Sequence, residues 1–542
     1  MNILKNIGVF IFLILNVHSY GQDNLLIPTA PTQNRIPKNY TRKNYTNSLE
    51  SLKDNYSQDL MKKAAKQYKN VTDVNRQGKW KPTTESIDSH KTPEWLRDAK
   101  FGMFIDWGLW SVAGYAPKKG TGAMYPDWYE DNMYTDSATV KYHEKNWGKE
   151  FERDDFFPLF TASAYNPASL VKMASEAGMK YIIPFCKHHS GFCLWPSSFT
   201  QRDAGDMGPQ KDLIKPLVEN CRRQGMKFGF YFSVEEWEYP IINENGALEI
   251  RLWRGKTKPY TKDLEKKLTG KIAVKNFIEN YIVPQATEFI DKYDPDILWY
   301  DGEWDDTAIN LQSYNIAAYF YNHAQGRKDV AVNDRYGLDD EGKTLRFKRG
   351  DIFTSEFHEN DDKLDKIKDH AWEANRGISQ SFGFNWQDTN DNVISTSEFV
   401  KMFVSIVSNG GNLLLIVNLD GQGALPKLQE NRLMEIGKWL QVNGEGIYGT
   451  RTYSTKTEGQ ISYTQSKDHK TVFALATEWP GKKLNLKSVT PKKGSQINLL
   501  GIKESLKWNY TQKEGLTIEI PDNLQNESNR PCKNAFTFKI TI

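Results

Sequence analysis

The sequence predicts an α/β fold, a (β/α)8-like TIM barrel followed by a C-terminal β-sandwich. Between Trp95 and Trp439, eight short apolar runs alternate with stretches of helical periodicity, which is the pattern of a parallel barrel. After Trp439 the helical stretches stop, and short strand-like runs follow one another between Gly, Pro, Asn and Lys clusters, as in a sandwich. The chain has 542 residues, 39% of them hydrophobic, and a mean hydropathy of −0.66, which suits a globular protein with room for more than one core.

The elements follow in order. Residues 1–21 read as a secretory signal peptide: Lys5 precedes an apolar run from Ile7 to Val17, with Ser19 and Gly21 before Gln22. The run is too short to span a membrane, and no second one follows, so a periplasmic or extracellular product is expected. Residues 22–91 form a polar N-terminal extension with a short helical pattern around Leu60–Tyr68, read as an arm on the main domain. The barrel takes 92–450. Its expected strands are Phe101–Asp106, Tyr181–Phe185, Phe228–Phe232, Ile297–Tyr300, Val330–Asn333, Asp351–Phe353, Gly377–Phe382 and Leu413–Val417. Helices are expected at Pro167–Ala177, Asp212–Gln224, Ala273–Tyr293, Leu311–Ala324 and Ser397–Val407. Residues 451–542 supply seven short strands for the sandwich.

Charge and cysteine content exclude several classes. With 71 Lys+Arg against 68 Asp+Glu the net charge is +3, without the strongly basic face of a nucleic-acid binder. Cys186, Cys193, Cys221 and Cys532 lack metal-site spacing and are too few for a disulfide scaffold. Cys186 and Cys193 leave open a bridge or two buried thiols. No metal and no cofactor is expected. The aromatic fraction of 13% fits either a bulky core or sugar binding, because pyranose C–H faces pack on rings.

A barrel carries its active groups on the loops after its strands. Those ends read Asp106-Trp107-Gly108, then Lys187-His188-His189-Ser190, then Ser233 with Glu235, Glu236 and Trp237. The next read Trp299-Tyr300-Asp301-Gly302, Asn333-Asp334-Arg335 and Thr354-Ser355-Glu356. Carboxylates and rings gathered at one mouth are what glycoside hydrolysis requires. Asp301, ending an apolar strand before Gly302, can point into that mouth; the plainer alternative is a cap on the next helix. Adjacent His188 and His189 suit two hydrogen-bonding roles better than joint metal ligation, since consecutive side chains on a strand diverge.

These residues carry a resemblance. Lys100 through Val112 (KFGMFIDWGLWSV), Lys187-His188-His189, Gly225 through Tyr231 (GMKFGFY), Trp299-Tyr300-Asp301-Gly302, Asn333-Asp334-Arg335, Ala371-Trp372-Glu373 and Asn409 through Leu415 (NGGNLLL) resemble the α-L-fucosidases of glycoside hydrolase family 29, in the family's order. The resemblance implies a retaining exo-hydrolase of glycans or oligosaccharides, with a catalytic barrel, a C-terminal β-sandwich and Asp301 as nucleophile. It implies Glu356 as acid/base, with Glu373 as the rival and Glu359 third. Asp106, Trp107, Asp127, Trp128, His188, His189, Tyr231, Trp237, Trp299 and Arg335 are the expected sugar-binding residues.

Three positions depart from the pattern: Asp106 replaces a His, Asp127 a Glu, and Ser190 an Asp. The first two hydrogen-bond sugar hydroxyls in the family, and such contacts discriminate between substrates by orders of magnitude. An α-L-galactoside, which adds a hydroxyl at C6, is therefore the second expected substrate. A modified fucoside is the third, although Asp106 would repel a sulfate. From other classes, a catalytically silent carbohydrate-binding protein and a metal hydrolase remain as alternatives.

Overall fold

The computed structural model describes residues 27–38, 40, 49–117, 125–357 and 371–542, with the backbone alone for 49–56. The expected signal peptide and Glu359 lie outside the described residues.

Eight parallel strands form the barrel: β1 (Phe101–Asp106), β2 (Tyr181–Lys187), β3 (Lys227–Ser233), β4 (Ile297–Asp301), β5 (Ala331–Val332), β6 (Ile352–Glu356), β7 (Ala371–Gly377) and β8 (Asn412–Asn418). Their order is β5-β4-β3-β2-β1-β8-β7-β6, with Phe101 beside Leu413 and Gly229 beside Ile297. Side chains help to close the ring where β5 is short. Asn333 bridges to Ile352, the Asp351 N–H donates to the Val332 carbonyl at 2.8 Å, and the Asp351 carboxylate accepts from the Val332 N–H at 2.9 Å.

Most barrel strands read as apolar runs because helices cover the outer face and the core fills the inner one. Leu413–Val417 are wholly buried, and each such side chain contributes about 1.5–3 kcal/mol relative to exposure. β7 breaks this rule. Its sequence, Ala-Trp-Glu-Ala-Asn-Arg-Gly, places Glu373 and Asn375 toward the interior. The seventh strand therefore precedes the expected Gly377–Phe382, of which only Gly377 is strand and the rest is loop.

The helices include α1 (Leu49–Gln77), α2 (Pro167–Glu176), α3 (Lys215–Arg223), α4 (Val283–Tyr293), α5 (Ser313–Ala324), α6 (Thr396–Ser408) and α7 (Lys427–Asn443). The expected helix from Ala273 starts later, with a π-turn at Ile278–Ile282 leading into α4. Val274 is used instead as a backbone partner of Ile242, and the Asn276 side chain caps the N–H groups of Ile278 and Glu279 at 3.0 Å. α1 is 29 residues long, far beyond the expected Leu60–Tyr68. Its stripe of Leu60, Ala64 and Val71 is buried, and Gln67 and Asn75 bond Thr287 on α4 and Asn315 on α5.

The C-terminal sandwich stacks a six-stranded antiparallel sheet, which includes Ile461–Gln465, Thr471–Ala476 and Phe536–Thr541, against a three-stranded one. Ser505–Leu506 and Trp508–Thr511 are strands that carry no apolar run and were not expected. All four cysteines are free, with Cys186, Cys193 and Cys221 buried. No described helix is long and apolar enough to cross a membrane.

Candidate active site

Inside the barrel, Phe104, Phe185, Tyr231 and Trp299 pack into an aromatic floor: Phe185 stacks on Tyr231 at 4.0 Å, and Phe104 meets Trp299 at 4.9 Å. Above it opens a cleft of about 690 Å³ at the C-terminal ends of the strands. Asp301 and Glu356 line this cleft from two different strand ends.

Asp301 ends β4, and Gly302 turns the chain immediately after it with a φ of +84°, which side chains on L residues rarely tolerate. A Cβ there would stand 3.0 Å from Ser233 Oγ. Two donors hold the Asp301 carboxylate. The Tyr231 hydroxyl donates to Oδ2 at 2.5 Å, and Arg335 Nη1 donates to Oδ1 at 2.7 Å. The other terminal nitrogen of Arg335 binds Glu356, and its guanidinium lies 4.7 Å above the Trp299 ring. One buried cation thus ties the two carboxylates together, and they in turn push its pKa well above the ordinary arginine value against the effect of burial.

Glu373 occupies a different place. It lies one inward-facing position below Asn375, which lines the cleft, and is fully buried, accepting from Tyr181 OH at 2.5 Å and Trp299 Nε1 at 3.3 Å. Burial, the largest cause, pushes its carboxyl up to about 7, with the two hydrogen bonds opposing.

The histidines end in a turn, because β2 stops at Lys187. Their side chains do not diverge as expected on a strand: the ring centroids are 4.0 Å apart. His189 Nδ1 meets Ser233 Oγ at 2.6 Å, and that hydroxyl donates to the Glu235 carbonyl at 2.5 Å. Ser233 therefore accepts from Nδ1–H, which leaves Nε2 as an acceptor, 3.8 Å from Asp301 Oδ2. Burial lowers His189 to about 3 and His188 well below its ordinary value, so both rings are neutral. His188 Nε2 stands 3.5 Å from Asp127 Oδ2. Asp127 is raised well above the usual carboxylate range by burial first and then by Asp106.

The sugar-binding candidates separate by position. Asp127, Trp128, His188, Tyr231 and Trp299 line the cleft, and His189, Trp237 and Arg335 stand directly behind it. Asp106 is fully buried, its Oδ1 held by Trp110 Nε1 at 2.8 Å, and burial pushes it up to about 7. Trp107 is not part of the cleft: it packs on Phe160 and Tyr165 and donates to the Asp420 carbonyl. Glu235 and Glu236 do not join the ring of carboxylates either. Glu235 is paired with Arg251, and Glu236 sits between Lys187 and Lys271 at 3.2 and 2.7 Å. No cluster able to hold a metal occurs among the described residues.

Several residues at the site went unread in the sequence. Asn375 was hidden by the misplaced seventh strand. Glu303, raised to about 7 by burial, sits near Arg335 and Asp301 and follows the Asp-Gly motif, a position that signals it only in hindsight. Trp253 arrives from a distant insertion, and no local pattern announces its approach.

Comparison with known proteins finds similarity along most of the chain. The family model described as alpha-L-fucosidase matches residues 67–445, and that of the alpha-L-fucosidase C-terminal domain matches 454–541. An alpha-L-fucosidase of Branchiostoma floridae is 30% identical over 474 residues, covering 86% of this chain and 96% of the relative. The tissue alpha-L-fucosidase of Rattus norvegicus is 28% identical, covering 85% and 92%. Among solved structures, the Thermotoga maritima alpha-fucosidase in complex with a mechanism-based inhibitor superposes with a TM-score of 0.69 at 30% identity, covering 85% of this chain and 100% of its own.

Proposed function

The chain belongs to the α-L-fucosidase family of glycoside hydrolases, and we propose that it releases a terminal α-linked L-fucose from glycans or oligosaccharides by a retaining double displacement. The observation that carries this reading is the Asp301–Arg335–Glu356 bridge at the cleft floor. Two carboxylates on one guanidinium support the short separation, roughly 5–5.5 Å, of retaining sites over the roughly 6.5–9.5 Å of inverting ones.

In the first step an Asp301 oxygen attacks the anomeric carbon, the bond to the leaving oxygen breaks, and the Glu356 carboxyl gives that oxygen its proton. In the second, Glu356 takes a proton from water, the water oxygen attacks the same carbon, and the Asp301 ester bond breaks. Tyr231 and Arg335 keep the attacking carboxylate aimed and stabilise its charge as it leaves. Neutral His189 offers Nε2 as an acceptor for a sugar hydroxyl. Glu373, enclosed by Tyr181 and Trp299, is assigned to holding the floor rather than to proton transfer.

A specific observation favours α-L-galactoside as the second substrate. Asp127 Oδ1 and His188 Nδ1 are buried without a hydrogen-bond partner at the cleft wall, which leaves polar atoms for a further sugar hydroxyl such as the one a galactoside adds at C6. The leader-like segment 1–21 supports export, and with it hydrolysis in the periplasm or outside the cell.

The test compares aryl α-L-fucoside with aryl α-L-galactoside and follows the anomer first released by proton NMR. The α anomer of the free sugar is expected first. The β anomer would overturn the retaining mechanism, and absence of turnover on both glycosides would overturn the substrate assignment.

A further inference from the structure

Between β3 and α4 the chain inserts a three-stranded antiparallel sheet, Glu238–Ile242, Leu248–Leu252 and Thr257–Pro259. Two polar locks fix it. On the middle strand, Arg251 makes a bidentate pair with Glu235 at 2.6 and 2.7 Å, on the loop that follows β3. At the next turn Arg254 adopts a φ of +68°, and its Nε reaches Asp305 Oδ2 at 2.8 Å. Trp253 Nε1 donates to the same oxygen at 3.0 Å. Asp305 follows Asp301 on one loop, so the insertion is fastened to the segment that presents the proposed nucleophile.

The lock seats Trp253 against Trp304, with centroids 5.7 Å apart and planes at 29°. Trp304 is in turn 6.3 Å from Trp128, at 27°. His189 meets Trp253 edge-on at 4.9 Å, which connects this stack to the cleft floor. The floor and the rim differ in exposure: Asp301 is 8% exposed, while Trp304, which lines the same cleft, is 37% exposed. More than a third of Trp304 therefore remains open to water where the cleft meets solvent, and its seat comes from an insertion that the barrel itself does not require. Such a surface is suited to the C–H face of a pyranose.

We propose that Trp304, backed by Trp253, is the platform for the saccharide unit on the leaving-group side of the scissile bond, so that the enzyme is built for oligosaccharide aglycones. The inference rests on the reading of Asp301 as nucleophile, since that fixes which unit lies deep and which lies at the rim. The unit at the rim is uncharged: Asp131 and Asp136 line the same cleft and would repel a uronic acid or a sulfated sugar.

The test uses two donors. In α-L-fucosyl fluoride the leaving group occupies nothing beyond the scissile bond, whereas the best-cleaved member of a set of α-L-fucosyl disaccharides places a pyranose at the rim. Trp304→Ala is expected to lower kcat/KM for the disaccharide about tenfold more than for the fluoride, with Trp304→Phe recovering most of the difference. Asp305→Ala, which releases the insertion without touching the sugar, is expected to shift the ratio in the same direction. Equal losses on the two donors in a folded Trp304→Ala protein, or no loss on the disaccharide, would overturn the platform. Calorimetry in an Asp301→Asn background separates this from the underlying reading. Tighter binding of the disaccharide than of L-fucose, abolished by Trp304→Ala, supports the platform whatever the wild-type turnover. Equal affinities overturn it. Wild-type-like hydrolysis of the fluoride by the Asp301→Asn protein would overturn the nucleophile assignment alone.

Discussion

Arg335 donates to Oδ1 of Asp301 at 2.7 Å from a position that is almost completely buried. The pair fixes the direction of a carboxylate that would otherwise rotate freely at a strand end. Because the same guanidinium also binds Glu356, the two carboxylates from β4 and β6 are held in one frame before any sugar arrives.

Tyr231 supplies the second donor to Asp301, at 2.5 Å. Tyr231→Phe keeps the stacked ring against Phe185 and removes only the hydroxyl. A hydrogen bond to a charged group contributes about 1.5–3 kcal/mol, so kcat/KM for an aryl fucoside is expected to fall by about 10- to 100-fold. An unchanged value would show that Arg335 alone orients the carboxylate.

Glu356 and Glu373 are separated by their dependence on the leaving group. For Glu356→Ala, substrates with poor leaving groups should lose activity by orders of magnitude, while activated aryl glycosides lose little in the first step. Glu373→Ala should affect both to a similar degree, since it disturbs the floor formed with Tyr181 and Trp299. The reverse asymmetry would transfer the acid/base role to Glu373.

Glu373 also leaves a signature in stability. Its carboxyl is raised to about 7 in the fold from an ordinary value of 4.5, so the folded state holds a proton that the unfolded chain releases. The stability from that proton is fully present below about pH 4.5 and is lost as the pH rises to about 7, with a total of about 3 kcal/mol. Asp106, also raised to about 7, titrates in the same window, which is why a difference measurement is needed. Glu373→Gln cannot ionise, so its Tm relative to wild type should climb between pH 5 and pH 8. A constant difference would contradict a buried, protonated Glu373.

Asp106 and Asp127 are expected to set the sugar preference. Restoring the family pattern with Asp106→His and Asp127→Glu should move the ratio of kcat/KM toward fucoside over galactoside, by about tenfold if one hydroxyl contact is exchanged. No change in the ratio from the paired variant would place the discrimination elsewhere in the cleft.

The barrel was legible because its strands are buried on both faces and therefore read as apolar runs, as in Leu413–Val417. β7 escaped that rule because two polar residues point inward on it: Glu373, paired with Tyr181 and Trp299, and Asn375, which lines the cleft. The strand-end rule brought Asp301, Arg335 and Glu356 into view, since each ends a strand or follows one within three residues. It failed for Glu235, Glu236 and Trp107, whose position after a strand says nothing about which way the side chain turns. Glu236 turns to Lys187 and Lys271, and Trp107 turns to Phe160. Trp253 could not be read at all: its place beside Trp304 depends on the Asp305 lock, a contact between segments distant in sequence.

The most direct test of the account is to trap the glycosyl-enzyme with a 2-deoxy-2-fluoro-α-L-fucosyl fluoride and to map the labelled peptide. Stoichiometric inactivation with the sugar esterified to Asp301 is expected, and no label on an Asp301→Asn protein. A label on any other carboxylate, or turnover with no trapped ester, would contradict it.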